Sequence, residues 1–296
     1  MTSSEYPVVL TVEGAAGGSS ASDAEIVDSN VAVVNSMYQE LLGPEEIAPN
    51  ALRSYFVDFY LTQSLGGGFA QYVFTAPDRE ELDAYIREGL EGMGAAGHVD
   101  LFDRTAEAFD ALSEEEADIY LDGEADASEV DEAGELPERV QALEDLDAEF
   151  ESLLETEDIV ALNAAWLRGQ EGLLVLNDDE LTAHIAKRVA ALPDLEERRA
   201  EAEEEALGNA PEFEVIIREL CDIAGYGLQK ITMGDPNYNH NGETVLAWRF
   251  STDHGDFLMI EDDDEAFMLN PETREIVAAV EFEELDADVD EDLVEA

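Results

Sequence analysis

Two patterns in the 296-residue chain predict a mainly α protein, built as a multi-helix N-terminal domain followed by a small α+β domain with an antiparallel sheet. From about residue 26 to residue 195, apolar residues recur at spacings of three and four, the period of helices with one buried face. Past Gly208 that period gives way to short apolar runs separated by turn residues, the pattern of paired strands. Hydrophobic residues make up 45% of the chain, enough for a core of ordinary size, so the 74 Asp and Glu belong to a folded protein rather than to a disordered acidic tail.

Taken in order, EYPVVLTVE (residues 5–13) is a candidate short strand and the GAAGGSSAS that follows is a flexible connector, together an N-terminal segment 1–25. Val27, Val31, Val34, Tyr38 and Leu41 then mark an amphipathic helix, with Ser22 or Asp23 as its N-cap and Gly43-Pro44 as its stop. Leu52, Tyr55, Phe56, Phe59, Tyr60 and Gln63 give a second helix with an aromatic face, which ends at Gly66, Gly67 and Gly68. A third starts near Pro77 with Leu82, Tyr85, Ile86 and Leu90 inward, and a fourth carries Val99, Phe102, Phe109 and Leu112. Ser113 and Glu116 form a capping box that opens a short fifth.

The next stretch is acidic yet periodic. Leu136, Val140, Leu143, Leu146, Phe150, Leu153 and Leu154 lie within about 60° of one line at 100° per residue, a stripe that a helix can bury. Glu144, Glu151 and Glu155 fall in a narrow row beside it, with Asp158 near the row if the helix extends that far. Like charges at this spacing destabilise an isolated helix by a few tenths of a kcal/mol each. Further helices carry Ile159, Leu162 and Trp166, then Leu181, His184, Ile185, Arg188, Val189 and Leu192, stopped by Pro193. These helices complete an acidic domain over 26–195. DLEERRAEAEEEAL, polar almost all round and closed by Gly208, gives a charged linker helix over 196–209. The α+β domain spans 210–285: a helix with Phe213, Ile216, Ile217, Leu220 and Ile223, then strands near 227–233, 244–251, 256–261, 265–269 and 275–282. Residues 286–296 are an acidic tail, expected to be frayed and solvated.

Charge bounds the function. With 14 Lys and Arg against 74 acids the formal charge is −60, and Lys187 and Lys230 are the only lysines. A binder of nucleic acid or of an anionic membrane needs a basic face, so direct contact with either is not expected. No run of about 18 apolar residues occurs, and MTSSEYPVVLTVEG lacks a positive n-region and long apolar stretch, so the expected compartment is the cytoplasm. Spread evenly over roughly 12,000 Å² of surface for this mass, sixty charges give about one per 200 Å², half the density of duplex DNA. The acids are concentrated, however. Residues 113–158 hold twenty against one base, Arg139, a net −19. Residues 209–280 hold fifteen acids and four bases, a net −11 over a longer stretch. The competing explanation is adaptation to a salt-rich cytoplasm, where dense carboxylates keep a surface hydrated.

Catalytic constellations are not evident. Cys221 sits among apolar neighbours as a structural thiol. His98, His184, His240 and His254 lack metal-ligand spacing; His240 and His254 share the C-terminal domain but read first as turn residues, and a metal-dependent hydrolase built on them is the lowest-ranked alternative. Asp286, Asp288 and Asp290 alternate as in a calcium loop but lack its Gly and Glu. The glycines at 66–68 are not followed by Lys-Ser/Thr as a phosphate loop requires. No cofactor and no metal are expected, and the chain is not read as an enzyme.

The stretch from Tyr60 to Tyr72 (YLTQSLGGGFAQY) resembles the tyrosine helix followed by Gly-Gly-Phe-x-Gln-aromatic of the bacterial DNA-mimic protein family, an acidic all-helical domain. Leu90–Phe109, with Gly94 and Ala95 before a helix, and Trp166–Leu192, with Asn177-Asp178-Asp179-Glu180-Leu181, are similar to later parts of that domain, so the resemblance covers about residues 26–195. Gly66 and Thr75 stand where the family often has Asn. The resemblance implies surface carboxylates that imitate DNA phosphates and occupy the DNA-binding face of a basic protein such as a transcriptional regulator, relieving repression. Rigid helices can set such carboxylates about 6 Å apart along a row.

On that reading the partner-binding acids are Glu114, Glu115, Asp118, Glu144, Asp147, Glu151, Glu155 and Asp158, while Gly67, Gly68, Phe69, Gln71 and Tyr72 are architectural. The partner is a basic DNA-binding protein, with neither nucleic acid nor membrane bound directly, and a homodimer is left open. The alternative is a salt-adapted helical protein of the same fold whose binding or immunity-like role is seated in residues 210–285.

Overall fold

A computed structural model describes residues 6–11, 21–76, 79–122, 136–262 and 265–281. The expectations for the connector after residue 11, for the acids between 123 and 135 and for the tail beyond Glu281, with Asp286, Asp288 and Asp290, lie outside the described residues. The chain divides into two units, Met1–Leu195 and Glu196–Ala296. Mainly helical structure in the first and a helix with an antiparallel sheet in the second agree with the fold class that the periodicities imply.

The first unit opens with strand β1 (Val9–Leu10) and α1 (Asp23–Gln39). Ser22 is the N-cap: its hydroxyl accepts the Glu25 N–H at 3.3 Å, while the Glu25 carboxylate accepts the Ser22 N–H at 2.7 Å, which satisfies two of the orphan donors of a helix start. A single 3₁₀ turn (Pro44–Glu46) leads to α2 (Pro49–Thr75). There follow α3 (Arg79–Met93), α4 (Ala96–Asp110), α5 (Glu114–Asp122), α6 (Glu138–Leu154), α7 (Ile159–Arg168), strand β2 (Leu174–Val175) and α8 (Asp178–Val189). The sequence shows β1 but not β2. The two pair in parallel, Val9 with Leu174 and Leu10 with Val175, and tie the N-terminal segment to a stretch more than 160 residues away.

Two apolar clusters share α2 as their common wall. Its first turns place Ala51 and Leu52 with Ile26, Val33, Val34 and Leu167, and its later turns place Tyr60, Phe69 and Tyr72 with Phe102, Leu143 and Phe150. Tyr60 packs edge-on against Tyr72, Phe102 and Phe150 with centroids 5.0–5.6 Å apart, the favoured geometry for aromatic pairs. Helix α3 approaches α2 closely because residue 89 is glycine. A Cβ there would lie 2.9 Å from the Arg53 carbonyl oxygen and 2.8 Å from a Val57 methyl.

The glycines at 66–68 do not end α2, as their helix-stopping character suggests. The helix breaks at Gly67 and Gly68 and resumes through Phe69 to Thr75. Gly68 has φ 67° and ψ −166°, a conformation open almost only to glycine. A resumed helix exposes fresh N–H donors, and the first is satisfied from afar: the Phe69 N–H donates to Asp147 Oδ1 of α6 at 2.8 Å. A second difference concerns α6, which ends at Leu154 with Glu155 as its C-cap, so Asp158 does not continue its row.

In the second unit, α9 (Leu195–Gly208) is the charged helix of the sequence, and α10 (Glu212–Ala224) ends at Gly225 with φ 71°. Five strands follow, β3 (Leu228–His240), β4 (Glu243–Thr252), β5 (Gly255–Asp262), β6 (Glu265–Leu269) and β7 (Ile276–Glu281), all antiparallel and paired in chain order. Ile216, Ile217, Leu220 and Cys221 of α10 pack on Phe250, Phe257, Met259, Met268 and Val280 of one sheet face. Strand β3 runs seven residues past its expected end because Asn241 and Gly242, with φ 52° and 97°, form the two-residue turn that continues the hairpin into β4. Pro236 is accommodated because β3 is an edge strand and its register shifts between Asp235 and Tyr238.

Gly68→Ala is expected to cost about 1–3 kcal/mol from backbone strain alone, and more because its Cβ would lie 2.7 Å from an Asp147 oxygen. Gly66→Ala, with open space around the site, is expected to be neutral or to stabilise by up to about 1 kcal/mol. Urea denaturation of the two variants measures the difference.

Candidate functional site

Helix α6 carries the candidate glutamate row, and its burial pattern follows from the stripe. Val140, Leu143 and Phe150 are buried, Leu146, Leu153 and Leu154 pack at the edges of the same core, and Glu144, Glu151 and Glu155 stay exposed. At 100° per residue these three glutamates fall within about 40° of one another, and at 1.5 Å rise they stand about 10 Å and 6 Å apart along the axis. Among the described residues no cation pairs with Glu151 or Glu155, and Glu144 receives only the Gln141 amide at 3.3 Å. The nearby arginines are engaged elsewhere. Arg104 forks onto Glu149 and also reaches Asp100, and Arg139 donates to the Ala111 carbonyl at 2.9 Å and lies 3.6 Å from Glu116.

Asp147 behaves differently from the other acids that the sequence marks for partner binding. On the wheel it lies between Val140 and Leu154, so its side chain turns inward. Its Oδ1 accepts the Phe69 N–H at 2.8 Å and its Oδ2 accepts the Tyr120 hydroxyl of α5 at 2.7 Å. Burial pushes its pKa up, against the two hydrogen bonds that hold it down, and Glu151 pushes it further. Asp147 is therefore a tie between α2, α5 and α6 and not a freely exposed phosphate analogue. Asp158 is likewise committed: it is the N-cap of α7, accepting the Ala161 N–H at 3.0 Å.

Helix α5 opens on the capping box: the Ser113 hydroxyl accepts the Glu116 N–H at 3.3 Å, and the Glu116 carboxylate accepts the Ser113 N–H at 2.9 Å. That pairing draws the Glu116 pKa down. Ile119 and Tyr120 are buried, and Glu114, Glu115 and Asp118 lie on the outward arc, exposed. The motif residues are placed as follows. Gly67 and Gly68 form the break, Phe69 and Tyr72 are buried, and the Gln71 amide donates to Gln63 at 3.4 Å. The Tyr72 hydroxyl donates to Asp83 at 2.6 Å, and Asp83 has its pKa raised by burial although Arg79 lies 3.2 Å away.

Beside the break lies a hollow of about 380 Å³, open to solvent. Gly67, Gln71 and Phe74 of α2, Tyr120 of α5, and Glu144 and Asp147 of α6 line it. Phe74 is 77% exposed, and neither it nor Tyr120 stands out in the sequence as a site residue. A hydrophobic wheel carries no sign of either, because the hollow depends on where α2 breaks.

The C-terminal candidates do not converge. His240 and His254 flank opposite ends of β4, about 30 Å apart at 3.3 Å per residue. His254 instead stacks on Tyr226 with centroids 4.2 Å apart and places Nδ1 2.9 Å from an Asp253 oxygen. Cys221 is buried on α10, its thiol pushed up to about 11 by burial. Among the described residues no three His, Cys, Asp or Glu side chains are gathered to hold a metal ion, and no helix is long and apolar enough to cross a membrane.

Residues 45–170 match the model of a family described as DMP19-like protein, a family of DNA mimics. The matched stretch runs from the 3₁₀ turn before α2 to the end of α7 and contains both α5 and α6. It is narrower than the 26–195 over which the sequence resemblance extends. No curated protein and no solved structure matches the chain.

Replacing Asp147 with Ala leaves the Phe69 N–H and the Tyr120 O–H without their acceptor and is expected to cost about 2–3 kcal/mol, read by urea denaturation. Because burial raises the folded-state pKa of Asp147, its own contribution to stability is expected to grow as pH falls from neutral through the folded value and to be complete near the unfolded carboxyl value of about 4. Thermal melts of the protein and of Asp147→Asn across that window isolate this contribution: the stability of the unaltered protein is expected to gain relative to the variant as pH falls.

Proposed function

We propose that the helical unit is a non-enzymatic interaction protein that imitates DNA phosphates and binds a basic DNA-binding protein, such as a transcriptional regulator, through the exposed carboxylates of α5 and α6. The observation that carries this reading is the row Glu144, Glu151 and Glu155, uncompensated by any described cation and set on a helix whose other face is fixed in the core. A groove-reading protein meets on such a row what it meets on a phosphate strand: fixed negative charges that accept charge-assisted hydrogen bonds from Arg and Lys, and counterions released on contact. Glu114, Glu115 and Asp118 extend the acidic surface on α5. Asp147 contributes by holding the frame, and Asp158 by starting α7. The match to a DNA-mimic family across this stretch supports the same reading.

A salt-adapted protein with a binding role in the second unit is the competing reading, favoured by one observation. Exposed acids also crowd α9, where Glu196, Glu197, Glu201, Glu203, Glu204 and Glu205 share one short helix outside the matched stretch. A uniformly acidic proteome in the source organism would favour it, and a near-neutral one would remove it.

Pull-down from the source lysate at its native salt is expected to recover a nucleic-acid-binding protein that duplex DNA displaces. Changing Glu144, Glu151 and Glu155 together to Gln removes three interfacial charges at about 0.5–1 kcal/mol each, so the affinity of the recovered partner should fall about 10- to 100-fold. Unchanged binding by the triple variant overturns the proposal.

A further inference from the structure

We propose that the hollow beside the Gly67–Gly68 break is a receptor for one arginine side chain of the partner, with Phe74 as an apolar and cation–π contact at its mouth. The proposal rests on the mimicry reading for the nature of the partner, but it concerns a feature that phosphate imitation does not explain. An array of carboxylates needs neither a cavity nor an exposed aromatic ring. Here a phenylalanine 77% exposed to solvent borders a hollow of about 380 Å³, at the low end of the volumes that enclose a ligand.

Charge and shape together select the occupant. Glu144 stands at the rim with only a long contact from Gln141, and Asp147 forms part of the wall. Each Asp147 oxygen already accepts one hydrogen bond, yet a carboxylate oxygen has a second lone pair, so a further donor can be taken without breaking either tie. An anion would face two carboxylates. A purely apolar side chain would cover them and leave buried charge unpaired, at a cost of several kcal/mol. A lysine ammonium is compact and strongly hydrated, whereas a guanidinium is planar, weakly hydrated, able to stack on an aromatic ring and able to present paired donors to a carboxylate. The rings of Phe74 and Tyr120 and the carboxylates of Glu144 and Asp147 supply both kinds of contact.

A protein that reads the major groove places arginine on guanine edges, between the residues that contact phosphates. The hollow lies beside the Glu144 end of the row, where such an arginine would arrive once the flanking cations had engaged the glutamates. The row would then draw in basic proteins in general, and the hollow would choose among them.

The test uses N-acetyl-argininamide as the probe on the full chain, with N-acetyl-lysinamide and N-acetyl-citrullinamide as controls, followed through the backbone amides of Gly67, Gln71, Phe74 and Leu121 by NMR. Saturable shifts are expected for the arginine probe, at least tenfold weaker for lysine and absent for citrulline. Phe74→Ala and Glu144→Gln should each weaken arginine binding at least fivefold, while Glu151→Gln with Glu155→Gln should change it less than twofold. Thermal melts confirm that the Phe74 variant, altered at an exposed ring, keeps its fold. Equal binding of lysine, or binding insensitive to Phe74→Ala and Glu144→Gln, overturns the proposal. If the arginine probe fails while the triple glutamine variant still loses its partner, the hollow is refuted and mimicry stands. If the probe binds as expected while partner binding ignores Glu151→Gln with Glu155→Gln but falls with Glu144→Gln and Phe74→Ala, the phosphate-like row is refuted and the hollow stands.

Discussion

One carboxylate takes a hydrogen from the backbone of α2 and another from a phenol of α5, and it does so from the middle of α6. The two hydrogen bonds of Asp147, to Phe69 N–H and Tyr120 O–H, tie together α2, α5 and α6, the last two of which carry the exposed acids. Without an acceptor at that point, the second half of α2 would begin with unsatisfied amide donors inside a core that buries Phe69 and Tyr72. Gly68 makes the approach possible, since any Cβ there would occupy the space of the carboxylate. The break in α2, the placement of α5 and the inward turn of Asp147 are thus one structural fact. It also explains why a group whose ionised form is disfavoured by burial is kept: the charge strengthens both hydrogen bonds it accepts.

The scarcity of cations shapes the rest. Twelve of the fourteen basic residues are arginine, and the structure uses them as connectors. Arg79 lies over the rings of both Phe69 and Phe109 and pairs with Asp83 and Asp110. Arg87 joins α3 to Asp103 of α4, Arg104 joins α4 to Glu149 of α6, and Arg168 joins α7 to Asp23 and the Ala21 carbonyl at the start of α1. A planar fork that binds a carboxylate through two donors and stacks on a ring suits this work better than an ammonium. Each such tie spends one cation on one or two acids inside the frame, so the glutamates of the α6 row are left without counter-charge.

Much of the fold was legible because it is local. Ser22 as an N-cap and Ser113 with Glu116 as a capping box mark two helix starts, and the stripe of α6 announces which of its faces is buried. The same wheel held the correction for Asp147, which falls between Val140 and Leu154 inside the buried arc; its acidity outweighed its position. What could not be read was set by distant partners. Three consecutive glycines signal a helix stop, and only a carboxylate 78 residues away turns the stop into a break. Strand β2 exists because β1 pairs with it, and two residues carry no periodicity. The hollow and the exposed Phe74 inherit this non-locality, since both are consequences of the break.

On the proposed reading, the area a basic partner would have to cover adds a constraint that charge alone does not. A stable interface of ordinary size takes about 800 Å² from each side, a patch roughly 28 Å across. Seventeen residues make α6 about 25 Å long, so a partner centred on the glutamate row spans the exposed length of that helix. It must also reach across the next packed helix, about 8–10 Å away. Tyr120 and Asp147 fix which helix that is. A footprint centred on Glu144 and Glu151 therefore takes in α5 with Glu114, Glu115 and Asp118 on one side, or retreats toward Arg104 and Glu149 on the other. On the second side the charge is already paired. Attraction for a basic protein is strongest on the first, which is also the side where the hollow opens.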